Sequence, residues 1–315
     1  VWVDISPNSV GNILEYPASN DFAAYQQFYG LYDGSDASTG FNLNPATGLP
    51  YAEQWVPRGD YTRVLSEFWA DGPNSETPPG HWFTLLNEKV TLHPDFEKRW
   101  MGEGDELNDL GWDVRAYLTL GGSVMDAAIA CWGAKGAYDY GRPIFAIRYM
   151  AERGQCTDPL QPNYHPEGLP LIPDYIEVVE IGDPLAGLNN ENVGKIKIYS
   201  WAGPPAATGL AGVHWILGEE WWTYQSSTFV TPPFPGYMSG HSTYSRTAAE
   251  VLTAITGDEY FPGGMGEYTS NALTGLIAET GPTMNIKLQW ARYIDASDQC
   301  SLSRIFGGLH PPQDD

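Results

Sequence analysis

The sequence predicts a mainly helical fold, a helical bundle with a minor β-hairpin and long loops. Three patterns support it: helical steps of apolar residues over residues 105–138, a second helical pattern over 240–256, and a third from about 284 to 297. Hydrophobic residues make up 42% of 315 positions, which indicates a globular chain with a large core. We expect one compact domain, in which a loop-rich and helical wrapping segment (1–104) precedes the bundle (105–315).

The first hundred residues are rich in Pro, Gly, Asn and aromatic residues, and their periodicity is weak. Short helices are predicted over residues 21–29 and 61–70, separated by long loops. From residue 105 the pattern becomes helical, and one apolar stripe that closes on a lysine is predicted to face the core. The members of this stripe are Leu118, Gly121, Met125, Ile129, Trp132 and Lys135.

Gly and Pro residues separate the middle elements. Gly141 is expected to end the long helix, and Pro143 to start a helix over residues 144–153, because Pro is favoured in a first helical turn. Residues 174–181 and 195–201 are β-branched and bounded by Gly and Pro, which predicts a small hairpin.

The last third of the chain contains two further predicted helices. The Pro-rich run 231–237 cannot be helical. Ser239 is the predicted N-cap of the helix over residues 240–256. A further helix is predicted from about 284 to 297, and the chain closes on residues 301–315.

The charge balance excludes some partners. There are 39 acidic against 16 basic residues, a formal charge of −23, which repels nucleic acid and anionic lipid. No apolar run of about 18 residues is present, so no membrane partner is expected. The first residue is Val rather than Met, so a leader could already have been removed, and we expect a secreted or periplasmic protein.

Three cysteines do not make a disulfide framework. Cys156 and Cys300 could pair in an oxidising compartment, and whether they do is left open. Cys131 lies in a helical pattern and is expected to be a small buried hydrophobic residue.

Three short segments hold cations or histidines next to Gly or Pro. They are Lys135-Gly-Ala-Tyr-Asp-Tyr-Gly-Arg142-Pro143, Ser239-Gly240-His241 and Ser303-Arg304-Ile-Phe-Gly-Gly-Leu-His310. Arginine forks fit tetrahedral oxyanions, and a helix start offers free N–H groups to an anion. A histidine can act as nucleophile, metal ligand or proton carrier near neutral pH. Each segment alone is a weak signal, but together they predict a cage of donors around one oxyanion.

The order and spacing of these segments resemble the signature shared by type 2 phosphatidic acid phosphatases, bacterial class A acid phosphatases and vanadium-dependent haloperoxidases. The resemblance spans Lys135 to His310, and Asp314 follows four residues later, as in many members. Met238 departs from the pattern, because the family usually has Pro before Ser-Gly-His; this changes a turn residue and not a donor.

The resemblance implies a role for each matching residue. Vanadate is the implied cofactor, and phosphate can occupy the same site. The residues implied to hold its equatorial oxygens are Lys135, Arg142, Ser239, Gly240 and Arg304. His310 is implied to ligate vanadium, or to attack phosphorus in a phosphatase. His241 is implied to bond the opposite apical oxygen and to move protons.

Two aromatic residues favour the haloperoxidase branch. Trp132 lies three residues before Lys135, and the Pro-rich stretch around Phe234 resembles the chloroperoxidases, in which an aromatic pair lines the halide pocket. A polarisable halide is stabilised by the positive edges of aromatic rings. Ordinary core positions would suit both residues as well, and at the level of sequence both readings stay open.

The function expected from this branch is oxidation of halide by hydrogen peroxide to hypohalous acid, with an organic acceptor that the sequence does not identify. An acid phosphatase with the same cage is the first alternative, and a non-catalytic phosphate-binding protein is the second. Family members usually continue past the last His into a helix that packs on the bundle. We therefore expect a second chain or an oligomer to complete the bundle, or an exposed apolar surface beside His310.

Overall fold

A computed structural model of the chain describes residues 12–15, 41, 43–52, 54–73, 75–205 and 212–315. Its helices are α1 (Arg58–Phe68), α2 (Pro78–Leu85, continued by a π-helical turn over Leu86–Thr91), α3 (Asp109–Tyr138), α4 (Pro143–Glu152), α5 (Gly240–Thr256) and α6 (Tyr293–Phe306). The predicted helices over residues 61–70, 144–153 and 240–256 are confirmed within a few residues at their ends. The helix predicted over residues 21–29 lies outside the described residues.

Helix α5 is the centre of the bundle and contacts α2, α3 and α6. The side chain of Ser239 caps its first turn by accepting from the backbone N–H of Ser242 (3.3 Å). Gly257 ends the helix in the left-handed region at φ 75°, a conformation that glycine adopts without strain. Buried residues recur at helical spacing on the inward face, among them Ala248, Leu252 and Ile255. Strong caps at both ends explain why these bounds could be predicted.

Helix α3 has 30 residues and does not bury the predicted stripe. Leu118, Met125 and Ile129 are 75%, 65% and 63% exposed. The buried residues are instead Trp112, Ala116, Leu120, Val124, Ala127, Cys131 and Lys135. Both faces carry apolar residues, and the face with Ala and Cys is the one that packs against α5, because small side chains let two helices approach closely. Lys135 belongs to both the predicted and the buried stripe. Its predicted burial is therefore confirmed, although the other residues predicted to face the core are not buried.

Helix α3 ends where the pattern over residues 105–138 predicts, but not at the residue that was expected to end it. Its last residue is Tyr138, and Asp139 follows in the left-handed region at φ 46°, so Gly141 lies outside the helix. Pro143 begins α4 as expected.

Three small antiparallel sheets accompany the bundle. The predicted hairpin is confirmed as β3 (Ile176–Val178) paired with β4 (Ile196–Trp201), and β5 (Val213–Leu217) adds a third strand. The strands β1 (Asn12–Glu15) and β2 (Gln54–Pro57) form a second sheet. The third sheet pairs β6 (Gly266–Ser270) with β7 (Ile286–Trp290).

Strand β7 corrects the helix predicted over residues 284–297. Ile286, Leu288 and Trp290 are buried and alternate with more exposed residues, which is the period of a strand that covers a core on one face. Helix α6 begins only at Tyr293 and continues to Phe306. Its last residues therefore lie in the segment 301–315, where no helix was predicted.

The wrapping segment supplies part of the core of the bundle. Nε1 of Trp69, just after α1, donates to Oε1 of Gln299 in α6 (3.1 Å), and Nε1 of Trp82 in α2 donates to Oγ of Ser245 in α5 (2.9 Å). These bonds tie the first hundred residues to the helices that carry the site. The division at residue 104 stays a prediction.

The three cysteines are free and buried. Cys131 is a buried residue of α3, as predicted. Cys156 and Cys300 belong to separate hydrophobic clusters and are not paired. Within the described ranges, no helix combines the length and the apolar character that crossing a bilayer requires.

Candidate oxyanion-binding active site

Lys135 lies in the last turn of α3, and its side chain is buried. Its Nζ donates to the carbonyl oxygens of Pro235 (2.9 Å) and Gly236 (2.7 Å). Burial lowers the pKa of its ammonium to about 8, because a charged group loses hydration there. The Pro-rich run therefore holds Lys135 at the site while leaving it cationic at neutral pH.

Arg142 is the N-cap residue of α4, directly before Pro143. Its Nε donates to the carbonyl oxygen of Phe234 (2.9 Å), and its Nη1 lies 3.1 Å from Nε2 of His310. Burial, and then the positive charge of Arg304, lower its pKa to about 10. Two buried guanidinium groups that repel each other form a site suited to an anion.

Arg304 lies in the last turn of α6 and is 2% exposed. Its Nε and Nη1 have no hydrogen-bond partner among the residues that the structure describes. Burial lowers the pKa of this guanidinium, although the nearby carboxylate of Asp71 acts in the opposite direction. Buried donors of this kind are almost always paired, so these two N–H groups indicate a position for an acceptor.

Ser239 and Gly240 bring the start of α5 to the same site. The backbone N–H of Ser239 donates to the carbonyl oxygen of Asp314 (2.7 Å), which joins this turn to the end of the chain. A Cβ on Gly240 would meet the ring of Trp132 at 3.2 Å, so a larger residue there would displace this ring by a few tenths of an ångström. The positive end of the helix dipole points toward the site from here.

His310 is buried and held from both sides of its ring. Nδ1 lies 2.7 Å from Oδ2 of Asp314, the carboxylate that follows His310 by four positions in the sequence. Burial, and then the charges of Arg142, Arg304, Lys135 and His241, hold its pKa well below the usual value. His310 is therefore neutral, donates from Nδ1 and keeps the lone pair of Nε2 facing Arg142.

The predicted residues thus meet in one place. Lys135, Arg142 and Arg304 arrive from three different helix ends, and each lowers the pKa of His310 through its charge. Ser239, Gly240 and His241 arrive at the start of α5. The sequence signature corresponds to one cluster of donors, although its role toward an oxyanion remains a prediction.

The predicted aromatic pair lies over the cations of this cluster. The ring centroids of Trp132 and Phe234 are 5.6 Å apart, and both rings are partly exposed. Nζ of Lys135 lies 5.7 Å from the ring of Trp132 and 5.5 Å from that of Phe234, and the Cζ of Arg142 lies 5.2 Å from Phe234. Neither residue is an ordinary core residue, and both border the cationic cluster.

Two further residues of the site were missed in the sequence analysis. Asp71 follows α1, and its Oδ2 lies 3.0 Å from Nε2 of His241, close enough for an ion pair but poorly aligned for a hydrogen bond. Its Oδ1 lies 2.6 Å from Nδ1 of His81 in α2. Burial alone would raise the pKa of Asp71, but the two histidines together lower it. One weak signal was present in the sequence, the Gly that follows Asp71, but no motif marks either residue. In the structure Asp71 adopts φ 53°.

His241 is largely enclosed by these neighbours. Burial, and then the charge of Arg304, lower its pKa to about 4, while Asp71 raises it. The ring is therefore neutral near pH 7, and the carboxylate of Asp71 is placed to stabilise it when it takes up a proton.

Comparison with known proteins shows which family the fold belongs to. The family model of the VCPO second helical-bundle domain matches residues 115–315. No curated protein matches the sequence. Two crystal structures of a bacterial vanadium-dependent chloroperoxidase resemble the fold, the apo form with a TM-score of 0.53 and the holo form with 0.50. Each is 18% identical, and the match covers 81% of this chain and 40% of the chloroperoxidase chain.

The family match includes the segments from Lys135 to His310, and the structural likeness supports the same fold. The chain therefore belongs to the family of the VCPO second helical-bundle domain and is a protein of the vanadium haloperoxidase type.

Proposed function

We propose that this protein is a vanadate-dependent haloperoxidase, which oxidises halide with hydrogen peroxide to hypohalous acid. The observation that carries the proposal is the buried guanidinium of Arg304, with Nε and Nη1 unpartnered in the described part of the chain. An enclosed cation without an acceptor is costly, and an oxyanion between Arg304 and Arg142 would supply one.

The donor set fits vanadate. Lys135, Arg142 and Arg304 would hold its oxygens together with Ser239 and the backbone N–H of Gly240. His310 would bind the metal through Nε2, since Nδ1 is engaged by Asp314. When bound, vanadate supplies Lewis-acid activation of hydrogen peroxide toward attack by halide. Phosphate, which is also tetrahedral, would be held by the same donors.

His241 is suited to proton transfer at this site. It is neutral near pH 7 and its Nε2 faces Asp71, so Nδ1 is the ring nitrogen that would accept a proton from hydrogen peroxide, and Asp71 would stabilise the resulting imidazolium. Neutral His310 donates from Nδ1 to Asp314 and turns the lone pair of Nε2 toward Nη1 of Arg142, so the two histidines have different tasks.

The aromatic pair supports halide as the substrate. Trp132 and Phe234 border the cations and exclude water from one side, and ring edges stabilise a polarisable anion. An acid phosphatase is the competing function, because the same cage and His310 would serve phosphoryl transfer.

A paired assay tests the proposal. The protein is assayed for halide oxidation by hydrogen peroxide with and without added vanadate, and for hydrolysis of a phosphate monoester without vanadate. We expect halide oxidation that depends on vanadate. Ester hydrolysis without any halide oxidation, from acidic to neutral pH, would reject the haloperoxidase and favour the phosphatase.

A further inference from the structure

A second cavity, of about 380 Å³, lies outside the oxyanion cage. It is bordered by α1, α2, the loop around residues 224–229 and the segment 268–278, and none of the predicted cage residues lines it. His81 forms part of its wall, and the same ring holds Asp71 through Nδ1. The cavity is therefore separated from His241 by two side chains.

Aromatic and aliphatic side chains form much of the wall. The rings of Phe68 and Tyr268 are 4.3 Å apart and tilted by 34°, and Phe229 and Ile277 complete this surface. A cavity of this volume and composition suits a small, flat organic molecule.

Two buried polar atoms at this cavity lack partners. Gln225 and Ser270 line it and are 3% and 1% exposed. Oε1 of Gln225 accepts from the hydroxyls of Thr223 and Thr231, but its Nε2 has no partner among the described residues, and neither has Oγ of Ser270. Nε2 of Gln225 is a donor, so a ligand with an acceptor oxygen would satisfy it.

The charges at the cavity select against anions. Glu67, Glu76 and Glu88 line it against the single cation of Lys89, within the described residues. Glu67 is occupied, because it accepts from the backbone N–H groups of Ile277 (2.5 Å) and Ala278 (3.0 Å). An incoming carboxylate or phosphate would face like charges and find little compensation.

We propose that this cavity binds a small uncharged aromatic molecule with a hydroxyl or carbonyl oxygen, of which a simple phenol is the representative. Its ring packs against the wall formed by Phe68, Phe229 and Tyr268, and its oxygen accepts from Nε2 of Gln225. This binding requires neither vanadate nor halide, so the proposal is independent of the haloperoxidase activity.

Binding is measured by calorimetric titration of the full chain without vanadate, halide or peroxide. The probe is 4-ethylphenol, and 4-ethylbenzoate is the matched anionic probe. We expect saturable binding of the phenol at millimolar or lower concentration and binding of the benzoate at least about tenfold weaker. Both measurements use the unmodified protein. If the phenol does not bind saturably, or if both probes bind equally, the proposal is overturned without any variant.

Two matched variants locate the bound probe. Phe229→Ala removes a ring from the cavity wall and is expected to weaken phenol binding at least about fivefold. Phe145→Ala removes a 65% exposed ring outside this cavity and is expected to leave the affinity unchanged. If Phe145→Ala weakens binding and Phe229→Ala does not, the probe binds elsewhere and the assignment fails. Failure of halide oxidation in the separate activity assay would leave this result unaffected.

Discussion

Oδ2 of Asp71 lies 3.0 Å from Nε2 of His241, and this contact joins the segment after α1 to the start of α5. The other oxygen of the same carboxylate contacts His81. One buried carboxylate thus serves two histidines, of which His241 borders the oxyanion cage. The first hundred residues therefore provide the carboxylate that contacts His241.

Replacing Asp71 by Asn tests this charge. The amide fills the same space but no longer raises the pKa of His241, so that pKa should fall further below about 4. In vanadate-loaded protein we expect halide oxidation to drop at least about tenfold and the acid limb of the pH–rate profile to move to lower pH. A uniform loss at every pH, without movement of the limb, would show that Asp71 acts through packing alone. Asp95→Asn, at an exposed carboxylate, is the control.

The low pKa of His241 also predicts how stability depends on pH. In the unfolded chain this residue takes up a proton near its ordinary value of 6.5, whereas in the folded protein it does so only near 4. Between these values the unfolded state binds more protons, so the free energy of unfolding decreases as pH falls. The contribution approaches about 2 to 3 kcal/mol at the lower end.

Denaturant unfolding at about pH 7 and about pH 4.5 measures this contribution. His241→Asn should lose less stability between the two pH values than the unmodified protein. His214→Asn, at an exposed histidine, should behave like the unmodified protein. Equal losses in all three proteins would contradict the assignment of His241 as a buried neutral ring.

Lys135 predicts a second pH dependence, that of anion binding. Its pKa of about 8 makes it a cation at neutral pH that loses its proton as pH rises. Sulfate keeps its charge over this range, so its affinity should fall between about pH 7 and about pH 9, a range that ends below the pKa of about 10 of Arg142. The measurement is the sulfate-induced rise of the melting temperature at each pH. Lys135→Met should reduce that rise at neutral pH and make it nearly independent of pH; an unchanged pH dependence would exclude Lys135 as the titrating group.

Arg304→Met removes the unpartnered guanidinium. Vanadate should then no longer raise the melting temperature, because the donors of Nε and Nη1 are lost. Without anion, the variant should be as stable as the unmodified protein or more stable, since an uncompensated buried charge is gone. Arg246→Met, at an exposed arginine paired with Glu250, should keep the vanadate response. A vanadate response retained by Arg304→Met would remove the main support for the oxyanion cage.

The residues of the candidate site could be picked out from sequence because they lie in short segments whose local rules are strong. Ser239 caps a helix, Pro143 starts one, and Lys135 is buried at the end of another. Asp71 and His81 could not, because they reach His241 through the tertiary packing of α1 and α2, which no local spacing encodes. The prediction that the Leu118 stripe of α3 faces the core was wrong for a related reason. Both faces of that helix are apolar, and only the packing against α5 determines which one is buried.

Strand β7 shows an error of another kind. Ile286, Leu288 and Trp290 alternate with polar residues, so a strand period was present in the sequence. The helical pattern of the following residues was extended backward over it. Its partner strand β6 contains three polar residues and a central Tyr, and this strand was not expected from local periodicity.

The contact between Gly240 and Trp132 predicts the effect of one methyl group. Gly240→Ala places a Cβ 3.2 Å from the Trp132 ring, which must then move by a few tenths of an ångström, and vanadate affinity should fall. Gly122→Ala is the matched control on the exposed face of α3, where a Cβ meets nothing within 4 Å. That control should raise the free energy of unfolding by roughly 0.5–1 kcal/mol and leave vanadate binding unchanged. Equal vanadate affinity in both variants would show that Trp132 does not shape the site.

Phe234 distinguishes halide oxidation from phosphate hydrolysis. His310 cannot do so, because both reactions need it. The Phe234 ring lies 5.5 Å from Nζ of Lys135 and 5.2 Å from Cζ of Arg142, at the rim of the cage. Phe234→His adds a hydrogen-bond donor there, which should change the preference among chloride, bromide and iodide, because it alters the polarity of the oxygen that the halide attacks. Vanadate affinity should change less, since the cage donors are untouched.

The measurement is kcat/KM for each halide together with the vanadate dissociation constant. Tyr164→His is the control, since that ring is 49% exposed and is not among the residues that line the groove shared by Arg142 and Phe234. If the protein is a phosphatase, Phe234→His will alter only ester turnover, and no halide chemistry will appear in either variant. If halide oxidation occurs but the preference is the same in both variants, the aromatic pair is not the halide pocket, and the rings then serve to hold Lys135 and Arg142 in place.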